Sequence, residues 1–330
     1  MEREILNFLV TSQESGMRLD IFLATKLNLS RNKINKMLHN KQITLNQIQA
    51  SKNGIILKEQ DQIHIFPSLL ETAKPTPKIH IPILYEDEDL LVLNKPINLV
   101  VHKTNQGDTQ YTLHEWLKEQ NFKLSNLGDS YREGIIHRLD KTTSGAIVIA
   151  KNNHSHQILS QQLKTKEMGR YYLCVINQPL KQDIIIDSPL IRHPKNRLKY
   201  IATSKQTPDS KDAKTAFFKI IDNGKTELIG AKLFSGRTHQ IRAHLSKINR
   251  HILGDFFYNY KGNYTQRILL HSSLLYLKHP TTQKPLKIYA PLFEDMLLFL
   301  HQNFYASQDF ESFAKNFILP LQDIYLSKFT

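Results

Sequence analysis

Cysteine is nearly absent. Cys174 is the only one in 330 residues, which excludes an intramolecular disulfide framework and any multi-cysteine metal site. Acidic side chains are scarce relative to basic ones, 30 against 44, leaving a formal net charge of +14. That deficit says little about fold but favours a polyanionic partner, and nucleic acid and an acidic membrane surface both satisfy it. No apolar run approaches the roughly 20 residues that a membrane-spanning helix needs, so no membrane is expected as a partner. The opening residues include Glu2 and Glu4 where a secretory signal carries only positive charge, and no apolar core with a small-residue cleavage site follows. The expected location is therefore cytoplasmic. Internal repeats, low-complexity tracts and a glycine-rich phosphate loop of Walker type are also missing.

What is present is a globular composition, 40% hydrophobic, in a chain long enough for about two domains. Residues 1–15 read as an N-terminal extension and 16–66 as a compact small α/β module. Within it Leu19, Phe22, Leu23 and Leu27 recur at helical spacing, and Ser30 is placed to cap a second helix carrying Ile34, Met37 and Leu38. Short strands are expected near 42–46 and 61–66. The module carries Arg18, Lys26, Arg31, Lys33, Lys36, Lys41, Lys52 and Lys58 against only Asp20, Glu59 and Asp61. Residues 67–82 hold prolines at 67, 75, 77 and 82, a density that suits a semi-rigid linker. From 83 to 293 the pattern is mostly strand-like, with helices expected near 154–164 and 238–247. That predicts an α+β domain on a mixed, largely antiparallel sheet with flanking helices. Residues 294–330 form a C-terminal extension that begins helically, with Met296, Leu297 and Leu300 in phase, and then turns irregular.

The sharpest local signal is Gly134-Ile135-Ile136-His137-Arg138-Leu139-Asp140-Lys141-Thr142-Thr143-Ser144-Gly145, followed by the apolar strand Ala146–Ala150. A rigid scaffold presents reactive groups on such loops between strands, although an isolated aspartate there more often caps its own turn. Upstream lies Tyr85-Glu86-Asp87-Glu88-Asp89-Leu90-Leu91-Val92-Leu93-Asn94-Lys95-Pro96, ending in Val100-Val101-His102. Downstream come Arg170-Tyr171-Tyr172-Leu173-Cys174-Val175 and Gly236-Arg237-Thr238-His239-Gln240-Ile241-Arg242. Leu253-Gly254-Asp255, Leu270-His271-Ser272 and His279-Pro280 complete the order. This series resembles the motifs of the RluA-type pseudouridine synthases, and it covers residues 83–293. The 16–66 module resembles a small S-four-type RNA-binding module through Arg18-Leu19-Asp20, Leu29-Ser30-Arg31, Ile43-Thr44-Leu45-Asn46 and Asp61. Two positions depart from the pattern: Lys41-Gln42 and Asn98 stand where glycine is usual, and both concern loop shape.

The resemblance implies an enzyme that isomerises uridine in RNA. The bond from uracil nitrogen to ribose breaks, the base turns, and a ring carbon rejoins the sugar. Nothing is oxidised, hydrolysed or imported, so no cofactor is demanded. Asp140 is the implied catalytic carboxylate, as nucleophile toward ribose or base or as a base toward the sugar; sequence leaves these open. Arg237 is the guanidinium expected beside it, Tyr172 the ring expected to stack on the flipped uracil, and Leu270 the apolar wall packed on that ring. Arg138 is expected to fill the vacated stack or touch the RNA backbone. His102, His137, His271 and His279 read as structural hydrogen-bonding groups rather than metal ligands.

For RNA binding the expected contacts are Arg18, Arg31, Lys33 and Lys36 in the module. Arg192, Arg197 and Lys199 join them from the basic, proline-fixed stretch Pro189–Lys199, which resembles an Arg-His-Pro loop of members acting on large-subunit ribosomal RNA. Structured RNA, chiefly large-subunit ribosomal RNA, is the expected partner of a monomer with no obligate protein partner. A non-catalytic RNA-binding protein on a degenerate synthase fold, and a metal-dependent RNA hydrolase, are the competing readings. The retained Asp140, Tyr172 and Arg237 oppose the first, and the lack of a second carboxylate cluster opposes the other.

Overall fold

A computed structural model describes residues 6–27, 29, 31–66, 79–103, 110–128 and 131–317. Its contacts divide the chain into two compact units, Met1–Pro77 and Lys78–Thr330. The first unit contains β1 (Leu6–Leu9), α1 (Leu19–Lys26), α2 (Arg31–His39), β2 (Ile43–Leu45), β3 (Ile48–Gln49) and β4 (Gln62–Ile65). The strands form one sheet in the order β1-β4-β2-β3. Leu6–Leu9 pairs antiparallel with β4, so this sheet begins ahead of the boundary at residue 16 that the sequence suggested. Those residues lack the alternation that betrays a half-buried strand: three of the four are exposed, and main-chain bonds hold them. The helical stripes meet in one core of Leu19, Phe22, Leu23, Ile34 and Leu38 with Ile43 and Ile63. Ser30, most of the proline-rich stretch, and the side chains of Lys33 and Lys36 lie outside the described residues.

Lys41 has a φ of 57° and Asn98 a φ of 64°, so both departures from glycine fall where the backbone is left-handed. That conformation favours glycine and, next, asparagine; Lys41 bears the larger strain.

The second unit begins with β5 (Ile83–Glu86), β6 (Leu90–Lys95), α3 (Leu113–Glu119), β7 (Ser144–Ala150), α4 (Asn153–Thr165) and β8 (Gly169–Ile176). Next come β9 (Ile184–Asp187), β10 (Leu190–Arg192), β11 (Tyr200–Ala202), β12 (Lys214–Asp222), β13 (Glu227–Leu233) and α5 (Gln240–Lys247). β14 (Leu270–Lys278), β15 (Pro285–Tyr289), α6 (Glu294–Phe304) and α7 (Phe310–Asn316) close it. The large sheet runs β5-β6-β7-β14-β8-β13-β12-β9, with β15 beside β14. Its β7–β14 pair is parallel and its other pairings are antiparallel, which makes it the mixed, mostly antiparallel sheet of an α+β protein.

Strands β6 and β7 are apolar almost throughout because both faces are covered. Alternation sends Leu91, Leu93, Ile147 and Ile149 into one core, and Leu90, Val92, Ala146 and Val148 into another. α3 starts with a capping box in which the Thr112 side chain and Glu115 satisfy each other's backbone N–H groups. The C-terminal helices join the larger core: Met296 and Leu300 of α6 are fully buried, and Phe313 of α7 nearly so. Residues 294–317 are thus part of the second unit, and the stretch expected to be irregular contains α7. No described helix is long and apolar enough to cross a membrane.

Candidate active site

Two glycines shape the loop that carries Asp140. Gly134 (φ +71°) and Gly145 (φ +114°) bracket it, and a Cβ at either would run into backbone, 2.8 Å from the Ala150 carbonyl oxygen and 2.2 Å from that of Ser272. Only glycine permits both the left-handed turn and the close approach, so the loop is held down at each end. Between them, the Thr143 N–H donates to the Asp140 carbonyl at 3.0 Å. The neighbouring 96–99 turn braces it, the Asn98 N–H donating to the Lys141 carbonyl at 2.7 Å. That turn is itself fixed by Lys95, fully buried, whose Nζ donates to the carbonyls of Pro96 and Leu99 at 2.8 and 2.9 Å. Burial pushes the Lys95 ammonium down to about 7, against the pull of the Asp140 charge.

Asp140 faces a pocket that Arg138, Tyr172, Arg237 and Leu270 also line. The guanidinium against its carboxylate belongs to Arg242, however, with Nη1 3.4 Å from Oδ2. Arg237 does not take the place the motif implied. It sits in the turn ahead of α5, exposed at the rim, with Nε donating to the Asp212 carbonyl at 3.0 Å. The reason is helical geometry: Arg242 lies inside α5, whose buried face is turned to the pocket, whereas Arg237 precedes the helix. The buried Gln240 fixes that turn, its Oε1 accepting from the Arg237 N–H and the Ser235 hydroxyl.

Arg242 is oriented by a second carboxylate. Its Nε and Nη2 donate to the two oxygens of Asp255 at 2.7 Å each, a bidentate pair with the Asp255 side chain wholly buried. Burial works against the Arg242 charge, but the Asp255 hydrogen bonds and the Asp255 and Asp140 charges outweigh it and raise its pKa. The guanidinium also lies over the Tyr258 ring, 4.7 Å from its centroid. His239 approaches Asp140 with Nε2 at 3.8 Å. Burial holds this imidazole below its usual range although Asp140 opposes the shift, leaving Arg242 as the standing cation there.

Tyr172 on β8 is 5% exposed, Leu270 at the start of β14 is 3%, and burial raises the tyrosine's pKa. They supply an aromatic and an aliphatic wall. His137 and His271 are buried and pushed down to about 3, chiefly by burial, so both are neutral. The Nε2 of His137 accepts from the Val148 N–H, while the Nδ1 of His271 meets the Ser144 hydroxyl. Both act as hydrogen-bonding groups of the scaffold, as does His279 against Asp87.

The basic hairpin adjoins this site. β10 and β11 pair around residues 193–199, and the Tyr258 hydroxyl donates to the Tyr200 carbonyl and accepts from its N–H. Arg192 lies over the Tyr200 ring and donates to the Arg197 carbonyl; Lys199 lies over the ring of Tyr258. Arg192 and Arg197 are exposed. In the first unit Arg18 and Arg31 are not free cations: both donate to Asp20, whose side chain is wholly buried, while staying 44% and 56% exposed themselves. Tertiary structure alone reveals the set Arg242, Asp255 and Tyr258, since local pattern does not pair an arginine with a carboxylate thirteen residues away.

The family described as RNA pseudouridylate synthase matches residues 89–247 of this chain. An uncharacterized RNA pseudouridine synthase of Helicobacter pylori strain J99 is 46% identical over 297 residues, 87% of this chain and 90% of the relative. Another, of Aquifex aeolicus strain VF5, is 35% identical over 277 residues, 81% of this chain and 84% of the relative. Among solved structures, human RNA Pseudouridylate Synthase Domain Containing 4 superposes with a TM-score of 0.53 at 21% identity, covering 67% of this chain and 92% of that one. At such identity the likeness speaks for the fold alone.

Proposed function

Since the chain belongs to the RNA pseudouridine synthases and is an isomerase of RNA, we propose that it converts specific uridines of large-subunit ribosomal RNA to pseudouridine with Asp140 as the catalytic carboxylate. The observation that carries this reading is the convergence on one pocket of Asp140, a buried cation at Arg242, and the walls Tyr172 and Leu270. A uridine flipped out of its stack meets there an aromatic face for the base and an oriented carboxylate for ribose or ring. Arg138, exposed at the rim, is placed to meet the strand the uridine leaves.

The type is RluA-like, with an S-four-type module ahead of it, acting as a cytoplasmic monomer. What supports the ribosomal target is the hairpin with Arg192, Arg197 and Lys199 beside the pocket, together with the basic first unit. Pseudouridine mapping of ribosomal and transfer RNA from cells with and without the gene tests the target. Loss of a site in large-subunit RNA alone is expected; loss confined to transfer RNA would overturn it.

Deleting residues 1–77 should weaken RNA binding and flatten its salt dependence while leaving turnover at high enzyme concentration. Each phosphate contact removed should lower the slope of log affinity against log salt by about 0.7–0.9. Arg18 and Arg31 keep outward N–H groups free of Asp20 only in part, so the slope should change by less than the module's formal charge. An unchanged slope would show that this unit does not touch RNA. A folded truncation that is inert at saturation would place part of the site within it.

A further inference from the structure

Arg170 lies on β8 two residues before Tyr172, so the two side chains leave the same face of the strand. Both line the pocket that holds Asp140. Arg170 is 8% exposed, and its Nε is buried with no hydrogen-bond partner among the described residues. Gly236 closes over it: a Cβ there would stand 2.5 Å from Nη1, so the turn ahead of α5 sits directly against the guanidinium. Burial presses the arginine toward its neutral form, and the adjacent His137 is itself neutral, so neither helps to hold the charge.

Leaving a buried charged donor unsatisfied costs free energy, and a catalytic role is one reason a native protein keeps such a group. The other guanidinium groups of the pocket are differently placed. Arg242 is engaged by Asp255, while Arg138 and Arg237 stand exposed at the rim.

We infer that Arg170 is a further catalytic residue, whose guanidinium donates to a carbonyl oxygen of the flipped uracil and meets the charge that builds on the base. This rests on the synthase reading given above. In the isomerisation the C1′–N1 bond breaks and its electron pair leaves on the base, spread over N1 and the two ring carbonyl oxygens. The C1′–C5 bond then forms, C5 gives up its proton and N1 gains one, so atoms and electrons balance without an added reactant. If Asp140 attacks the sugar or removes a sugar proton, the departing uracil carries the charge. If it attacks the ring instead, the electrons are pushed onto a carbonyl oxygen. All three routes put charge on one common atom, the C4 carbonyl oxygen. A donor fixed in a dry pocket is worth more to such an oxygen as it becomes anionic, which favours the transition state over bound substrate.

The test compares wild type, Arg170→Met, Arg170→Lys and Gly236→Ala in full-length protein. It reads single-turnover pseudouridine formation at saturating RNA, RNA Kd and thermal melting. Arg170→Met should lose roughly 10²–10³-fold in turnover, with Kd unchanged within about threefold. Its melting point should not fall, because an unpartnered buried charge has been removed. Arg170→Lys should recover part of the rate, and Gly236→Ala, which only displaces the guanidinium, should slow turnover without weakening binding. Turnover of Arg170→Met within about threefold of wild type, or a loss confined to Kd, would overturn the assignment. So would a loss that tracks a lowered melting point and is not relieved by lysine. Should Arg170→Met fail to fold, Gly236→Ala decides, and unchanged turnover there counts against Arg170. A wild-type protein inert on all ribosomal and transfer RNA would instead remove the synthase reading, and this inference with it.

Discussion

Asp140→Asn should abolish pseudouridine formation while leaving the protein folded and bound to RNA. Asparagine keeps the size and the turn, because the Thr143 N–H bonds to the main-chain carbonyl of residue 140. The side chain it replaces is 18% exposed and touches Arg242 only at 3.4 Å, and Arg242 retains its bidentate partner Asp255. The stability change should therefore stay within about 1 kcal/mol, as for substitutions that strand no buried charge. The rate loss should be at least the roughly 10²–10⁴-fold contributed by a positioned acid or base, whichever role the carboxylate plays. Rapid-quench measurement of pseudouridine in a defined RNA reads it. Turnover at the wild-type level would reject Asp140 outright.

Arg242→Met should cost both turnover and stability, and the two losses have different origins. Without the guanidinium, the Asp255 carboxylate stays wholly buried with the Tyr258 N–H as its remaining described partner. Breaking one side of a buried pair costs about 3–5 kcal/mol, which for a unit this size lowers the melting temperature on the order of 10 °C. Adding Asp255→Asn removes the stranded charge, so the double variant should regain much of the lost stability. Its turnover should remain low, since the cation facing Asp140 is still missing. Calorimetry alongside single-turnover assays reads both effects. Recovery of activity together with stability in the double variant would mean that Arg242 serves the fold alone.

Several features are legible in the sequence alone. The loop of Asp140 could be placed because the apolar strand β7 follows a short polar stretch, but the apolar strand expected ahead of it is absent: Ile135 makes only an isolated bridge to Ile149. α4 and α5 lie where helical spacing put them, within a residue or two at their ends. α7 and β1 were not legible. β1 is held by main-chain pairing to a strand more than fifty residues on, and α7 by packing on a core assembled from the whole second unit. Neither leaves a clear periodic trace.

The sequence by itself determined that this chain builds a sheet of apolar strands, presents Asp140 on a short polar loop ahead of one of them, and carries a charge that favours a polyanionic partner. These are properties of residue type and near spacing. Only the tertiary structure decided which cation faces Asp140. Arg237 and Arg242 are both arginines of one motif, and nothing local separates them. The choice follows from α5 starting after Arg237, which leaves it at the rim, and from Asp255 and Tyr258 arriving from a later turn to hold Arg242 inward. The burial that leaves Arg170 without a partner arises in the same way. It depends on Gly236 folding back over a strand more than sixty residues earlier, an approach set by the assembled sheet and not written in either segment.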